Sequence, residues 1–85
     1  MPPYKVFINL DILSEVPASG KAREQILNFI KSLADDPFQS GDYSDIDDVG
    51  RTIFTKIVAS YAITYWADSP VREVKVILIQ RADSF

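Results

Sequence analysis

The sequence predicts one α+β domain: an antiparallel sheet of one N-terminal and three C-terminal strands, with one long and one short helix on one face. Three observations carry this. Arg51 to Val58, Tyr61 to Ala67 and Arg72 to Arg81 are rich in β-branched and aromatic residues and nearly contiguous, so they read as consecutive antiparallel strands. From Lys21 to Asp35 the apolar residues Ala22, Ile26, Phe29, Ile30, Leu33 and Ala34 recur at helical spacing. Near the start, Tyr4 to Leu10 alternates polar and apolar residues and makes a first strand.

The connecting segments follow from local chemistry. Asn9 or Asp11 caps a short helical turn through Ile12, Leu13 and Val16, which Pro17 stops. Ser19 stands at the N-cap of the long helix, and Asp36-Pro37 ends it. Phe38 to Gly50 then reads as a long acidic loop of Ser, Gly and Asp. A chain of 85 residues forms a single domain over residues 1–85, too small for a deep enclosed cavity, so any site is an open surface or groove.

Composition removes whole classes of chemistry. The chain has no cysteine and no histidine, which excludes thiol nucleophiles, serine-histidine triads and cysteine/histidine zinc sites. The aspartates of the loop lack the Asp-x-Asp-x-Asp-Gly order and the distal glutamate of a calcium loop, so no metal and no cofactor is expected. Apolar runs are shorter than a membrane span, and the Met1 to Lys5 start has no signal-peptide stretch, so the expected location is the cytoplasm, with no membrane partner.

A net charge of −3 conceals an asymmetry. Asp35, Asp36, Asp42, Asp45, Asp47 and Asp48 fall in a stretch without a basic residue, whereas from Val49 onward Arg51, Lys56, Arg72, Lys75 and Arg81 outnumber Asp68, Glu73 and Asp83. A modest positive surface on the sheet is therefore expected.

Strand periodicity sorts the side chains into two faces. Ile53, Thr55 and Ile57 oppose Thr52, Phe54, Lys56 and Val58, and Tyr61, Ile63, Tyr65 and Ala67 oppose Ala62, Thr64 and Trp66. A two-residue turn at Ala59-Ser60 would set Lys56 against Ile63 and bury its charge, so a three-residue loop is expected, with Lys56 opposite Thr64 and Ile57 opposite Ile63. On that register the face away from the helix carries Phe54, Lys56, Ala62, Thr64 and Trp66, joined by Lys75, Ile77, Ile79 and Arg81 from the last strand. So apolar a surface calls for a partner or a second copy of the chain to cover it.

The long helix ending in Leu33-Ala34-Asp35-Asp36-Pro37, the loop after it, the Tyr61 to Tyr65 strand and the last strand ending at Arg81 resemble the RelE/ParE superfamily of toxins from type II bacterial toxin-antitoxin pairs. The resemblance spans Tyr4 to Arg81 and rests on layout more than on a motif. It implies a RelE-like fold, a cognate antitoxin as partner, and a metal-independent endoribonuclease that cuts messenger RNA on the ribosome. By resemblance Lys56 and Arg81 match the basic residues that stabilise charge at phosphorus and on the leaving oxygen. Phe54, Thr64, Trp66, Lys75, Ile77, Ile79 and Phe85 would form the substrate or partner surface. Two departures weaken the nuclease: Ala62 stands where the family carries an arginine, and Phe85 stands where many members have a proton-transferring tyrosine. The alternatives are a ParE-like inhibitor that poisons DNA gyrase by protein contact, and a catalytically silent relative that only binds proteins. Each residue also has an ordinary reading: Lys56 and Lys75 as solvated strand charges, Arg81 as a partner of Asp83, and Phe54 and Trp66 as packing residues.

Overall fold

In the computed structural model, which describes residues 3–84, the order is β1 (Lys5–Ile8), α1 (Leu10–Leu13), α2 (Gly20–Asp35), β2 (Tyr43–Ile46), β3 (Thr52–Val58), β4 (Tyr61–Asp68) and β5 (Glu73–Arg81), with short 3-10 turns at Ser69–Val71 and Ala82–Ser84. The α+β class is as expected, but the sheet is mixed and five-stranded, in the order β1-β5-β4-β3-β2. The N-terminal strand runs parallel to β5, pairing Val6 with Val74 and Ile8 with Val76. The additional strand, β2, forms inside the segment expected to be a loop.

Each helix forms for a local reason. Asn9 Oδ1 accepts the Ile12 N–H at 2.8 Å, three residues on, and starts α1. Helix α2 begins beside Ser19, whose side chain makes no capping bond, and buries Ile26, Ile30 and Leu33, the i, i+4, i+7 stripe of an amphipathic helix. That stripe packs on Ile63, Tyr65, Val74, Val76 and Ile79, and Ile12, Leu13, Val6 and Ile8 close the same cluster. Both helices therefore lie on one face of the sheet.

The β3–β4 hairpin overturns the expected register. Lys56 pairs with Ile63, Ile57 with Ala62 and Val58 with Tyr61, leaving only Ala59 and Ser60 in the turn. Both turn residues have positive φ, 51° and 68°, as a type I′ turn demands, although neither is Asn or Gly. The turn is held by the Ala82 N–H, which donates to the Ser60 carbonyl at 2.9 Å. The penalty for burying Lys56 is avoided because its stem runs along the sheet while its ammonium, on a side chain 37% exposed, reaches Asp42 at 3.6 Å. Replacing Ala59-Ser60 by Asn-Gly relieves two left-handed conformations and is expected to stabilise the fold by about 1 kcal/mol, read as a rise in the urea midpoint.

Phe54 and Lys56 consequently belong by register to the helix-side face, and Ile53, Thr55 and Ile57 to the other, while the β5 pairing brings Ile79 and Arg81 to the helix side as well, the reverse of the expected sorting. A second irregularity lies in β5. Thr64 pairs with Leu78 but Tyr65 with Val76, so Ile77 is an extra residue, and the bulge leaves both Ile77 and Leu78 exposed.

Strand β2 is exposed at all four residues and owes nothing to core burial. It is held by backbone bonds to β3 and by its flanks: Asp42 N–H donates to Thr55 O at 2.8 Å, and Asp47 N–H to Arg51 O at 3.0 Å. The connecting turn is built on Asp47, whose Oδ1 accepts the N–H groups of Val49 and Arg51 at 3.1 and 2.8 Å, with Gly50 at φ 85°.

Candidate functional site

Among the described residues no helix lies on one face of the sheet, and the composition of that face is unusual. By register it displays Phe7 from β1, Lys75 and Leu78 from β5, Ala62, Thr64 and Trp66 from β4, and Ile53, Thr55 and Ile57 from β3. Phe7 is 47% and Leu78 42% exposed, while Ile53, Ile57 and Trp66 are half-buried. At its centre Thr55 and Thr64 are buried as a cross-strand pair with hydroxyl oxygens 3.2 Å apart, so their polarity is satisfied within the face. The exposed remainder is an apolar and aromatic surface.

Trp66 is the anchor of this face. The Arg51 guanidinium lies 4.3 Å from its ring centre and the Lys75 ammonium 5.3 Å, so the indole is flanked by two cations. Neither cation is left unbalanced. Lys75 reaches Asp68 at 3.2 Å and Glu73 at 3.8 Å, and the Arg51 Nε donates to the Asp47 carboxylate. Burial pushes the Asp47 carboxyl up, but the Arg51 and Val49 N–H groups and the Arg51 charge outweigh it and hold it below its ordinary value.

The two expected catalytic residues share a face but do not form a centre. Lys56 lies in the row of Ile63 and Ile79, and Arg81 in the row of Tyr61 and Val58. Their strands are separated by β4, about 10 Å across the sheet. Each has its own carboxylate: Lys56 has Asp42, and Arg81 has Asp83 at 3.4 Å with the Tyr61 ring 5.8 Å away. The hydrogen bond and charge of Asp83 hold Arg81 protonated more firmly than usual. Two cations facing separate carboxylates do not converge on a phosphate.

Of the expected surface residues, Thr64, Trp66 and Lys75 are on the open face and Ile77 is exposed at the β5 bulge. Phe54 instead packs on Tyr65 at 5.9 Å because the tight turn reversed the faces of β3, and Ile79 is 1% exposed in the core because the β5 bulge at Ile77 shifts the phase of that strand. Phe85 lies outside the described residues. Phe7 and Leu78 were missed. The alternation Val6-Phe7-Ile8 could have placed Phe7 opposite the core, whereas Leu78 faces outward only through a bulge that the sequence does not signal.

Among the described residues no group of acidic side chains is arranged to hold a metal ion, and no helix is long and apolar enough to cross a membrane. No protein-family model, curated protein or solved structure matches this chain.

Proposed function

We propose that this chain acts by protein contact through its open sheet face, as the toxin of a toxin-antitoxin pair of the kind that poisons DNA gyrase rather than the kind that cuts messenger RNA. The observation that carries this reading is the pairing of an uncovered apolar face with cations already matched to carboxylates, Lys75 to Asp68 and Glu73 and Arg51 to Asp47. RNA binding draws its affinity from cations that neutralise phosphates, and cations engaged by neighbouring carboxylates supply little of it. A protein interface needs the opposite: a flat apolar centre with an aromatic anchor and locally satisfied charge. Trp66, Phe7 and Leu78 fit that description.

The toxin context is supported by the layout of strand, two helices and a C-terminal antiparallel run. In that context the cognate antitoxin is the natural occupant of the face, as a segment that folds on binding. The ribosome and its messenger RNA are the partners of the competing reading, in which Lys56 and Arg81 perform the cleavage.

The two readings separate in paired reconstituted assays. The expected result is inhibited supercoiling by DNA gyrase, with messenger RNA left intact in a translating extract. Cleavage at the ribosomal decoding site that disappears in Lys56→Ala plus Arg81→Ala would overturn the proposal.

A further inference from the structure

The sheet ends on β2, and nothing among the described residues pairs with its outer edge. The Asp47 N–H bond to the Arg51 carbonyl sets the phase of the ladder, in which inward- and outward-bonding residues alternate. Tyr43 and Asp45 therefore bond toward β3, and the backbone groups of Ser44 and Ile46 turn to the free edge. The Ile46 N–H is taken by Asp45 Oδ1 at 2.8 Å, which leaves the Ser44 N–H and both carbonyls for an incoming strand.

Inboard of this edge, on the open face, runs a groove of about 410 Å³, walled by Tyr43, Asp45 and Ile46 of β2, Ile53 and Thr55 of β3 and Thr64 of β4. An added strand would lie about 4.8 Å from β2 and extend the sheet past this groove. The charge of the edge selects what can pair there. Between Asp35 and Gly50 there is no basic residue, and although Asp42 and Asp47 are matched by Lys56 and Arg51, among the described residues Asp45 and Asp48 have no cation within ion-pair reach. A second copy paired antiparallel would bring aspartate against aspartate, which disfavours self-association. A strand with lysine or arginine at its ends meets the complementary field.

We infer that the β2 edge, which borders the uncovered face, is a second protein-contact site that takes a basic extended segment of a partner protein by strand addition. It goes beyond the gyrase reading and does not depend on it. A labelled synthetic peptide that alternates isoleucine and threonine over the length of β2, with two lysines at each end, tests it by fluorescence anisotropy. Saturable binding is expected. It should weaken about tenfold or more when the lysines become glutamates, and again when the peptide amides facing the edge are N-methylated.

Ser44→Pro removes an N–H that faces outward, not one used in the ladder, so it should preserve the fold by circular dichroism while reducing binding by a similar factor. Asp45→Lys reverses the charge and also frees the Ile46 N–H for an incoming strand, and should reverse the preference toward the glutamate-flanked peptide. Absence of saturable binding to the native protein would overturn the inference. So would binding indifferent to N-methylation and to Asp45→Lys, or a dimer in sedimentation that Ser44→Pro dissociates, since the edge would then belong to a second copy.

Discussion

Tyr65→Ala is expected to cost about 3–5 kcal/mol, a large part of the roughly 4–13 kcal/mol available to a domain of this length. The side chain is fully buried and joins three parts of the fold. Its ring meets Phe29 of α2 edge-on at 5.5 Å and Phe54 of β3 at 5.9 Å, and its hydroxyl donates to the Gln39 carbonyl at 3.1 Å. Truncation loses the apolar contacts, opens a cavity and strands a carbonyl. Tyr65→Phe keeps the packing and gives up the hydrogen bond, for about 1 kcal/mol.

The same residue sets a pH dependence. Burial first, then the negative charges of Asp42 and Asp36, push the Tyr65 phenol up to about 12. The unfolded chain releases that proton near pH 10, while the folded chain retains it. The native state thus binds more protons above about pH 10, and stability falls as pH rises toward about 12, by about 2 kcal/mol. Below pH 10 both states hold the proton and the contribution is constant. Urea midpoints of the native chain and of Tyr65→Phe across this range isolate the effect, because the variant lacks this component while the other titrating groups are shared. Parallel curves for the two proteins would contradict the burial assigned to the phenol.

Gly41→Ala is expected to cost about 1–3 kcal/mol and to loosen β2 selectively. A methyl group at Gly41 would be driven into the Thr55 carbonyl oxygen, with the carbonyl carbon at 2.7 Å and the Thr55 nitrogen at 3.1 Å. These are backbone atoms of β3 and cannot swing aside. The segment must retreat, which breaks the Asp42 bonds to the Thr55 carbonyl and to the Ile57 N–H, the latter at 2.7 Å, and takes Asp42 from Lys56. Faster hydrogen exchange at Ile57 and in β2, with β4 and β5 unchanged, is the predicted pattern. Native-like exchange in the variant would show that the approach of this segment to β3 is looser than described.

The elements that were legible in the sequence are those whose pattern is local. The stripe Ile26, Ile30, Leu33 marks α2 unaided, and alternation marks β3, β4 and most of β5. Strand β2 was hidden because Tyr43-Ser44-Asp45-Ile46 is exposed throughout and pairs through its backbone, so no apolar period announces it. The parallel partnership of β1 with β5 joins opposite ends of the chain and leaves no mark in either segment alone. The hairpin register differs from the expected one for a physical reason. Ala59-Ser60 lacks the usual residues for positive φ, and a lysine on the core side is costly, but the nearby Asp42 and an exposed rim accommodate Lys56. That one-residue difference exchanged the faces of β3, and with it the surroundings of Lys56 and Phe54; the β5 pairing did the same for Ile79 and Arg81. Trp66, Thr64 and Lys75 were placed correctly because β4 and the first part of β5 keep the phase that alternation implied.

Induced expression in a bacterial host, without an antitoxin, separates contact through the open face from cleavage by Lys56 and Arg81 regardless of the target's identity. Three chains are compared for growth arrest: the native protein, Trp66→Asp plus Leu78→Asp on the open face, and Lys56→Ala plus Arg81→Ala. Protein contact predicts arrest by the native chain and by the lysine-arginine variant, and normal growth with the face variant at equal folded yield. Arrest that persists in the face variant and disappears with Lys56 and Arg81, or no arrest by the native chain, would contradict it.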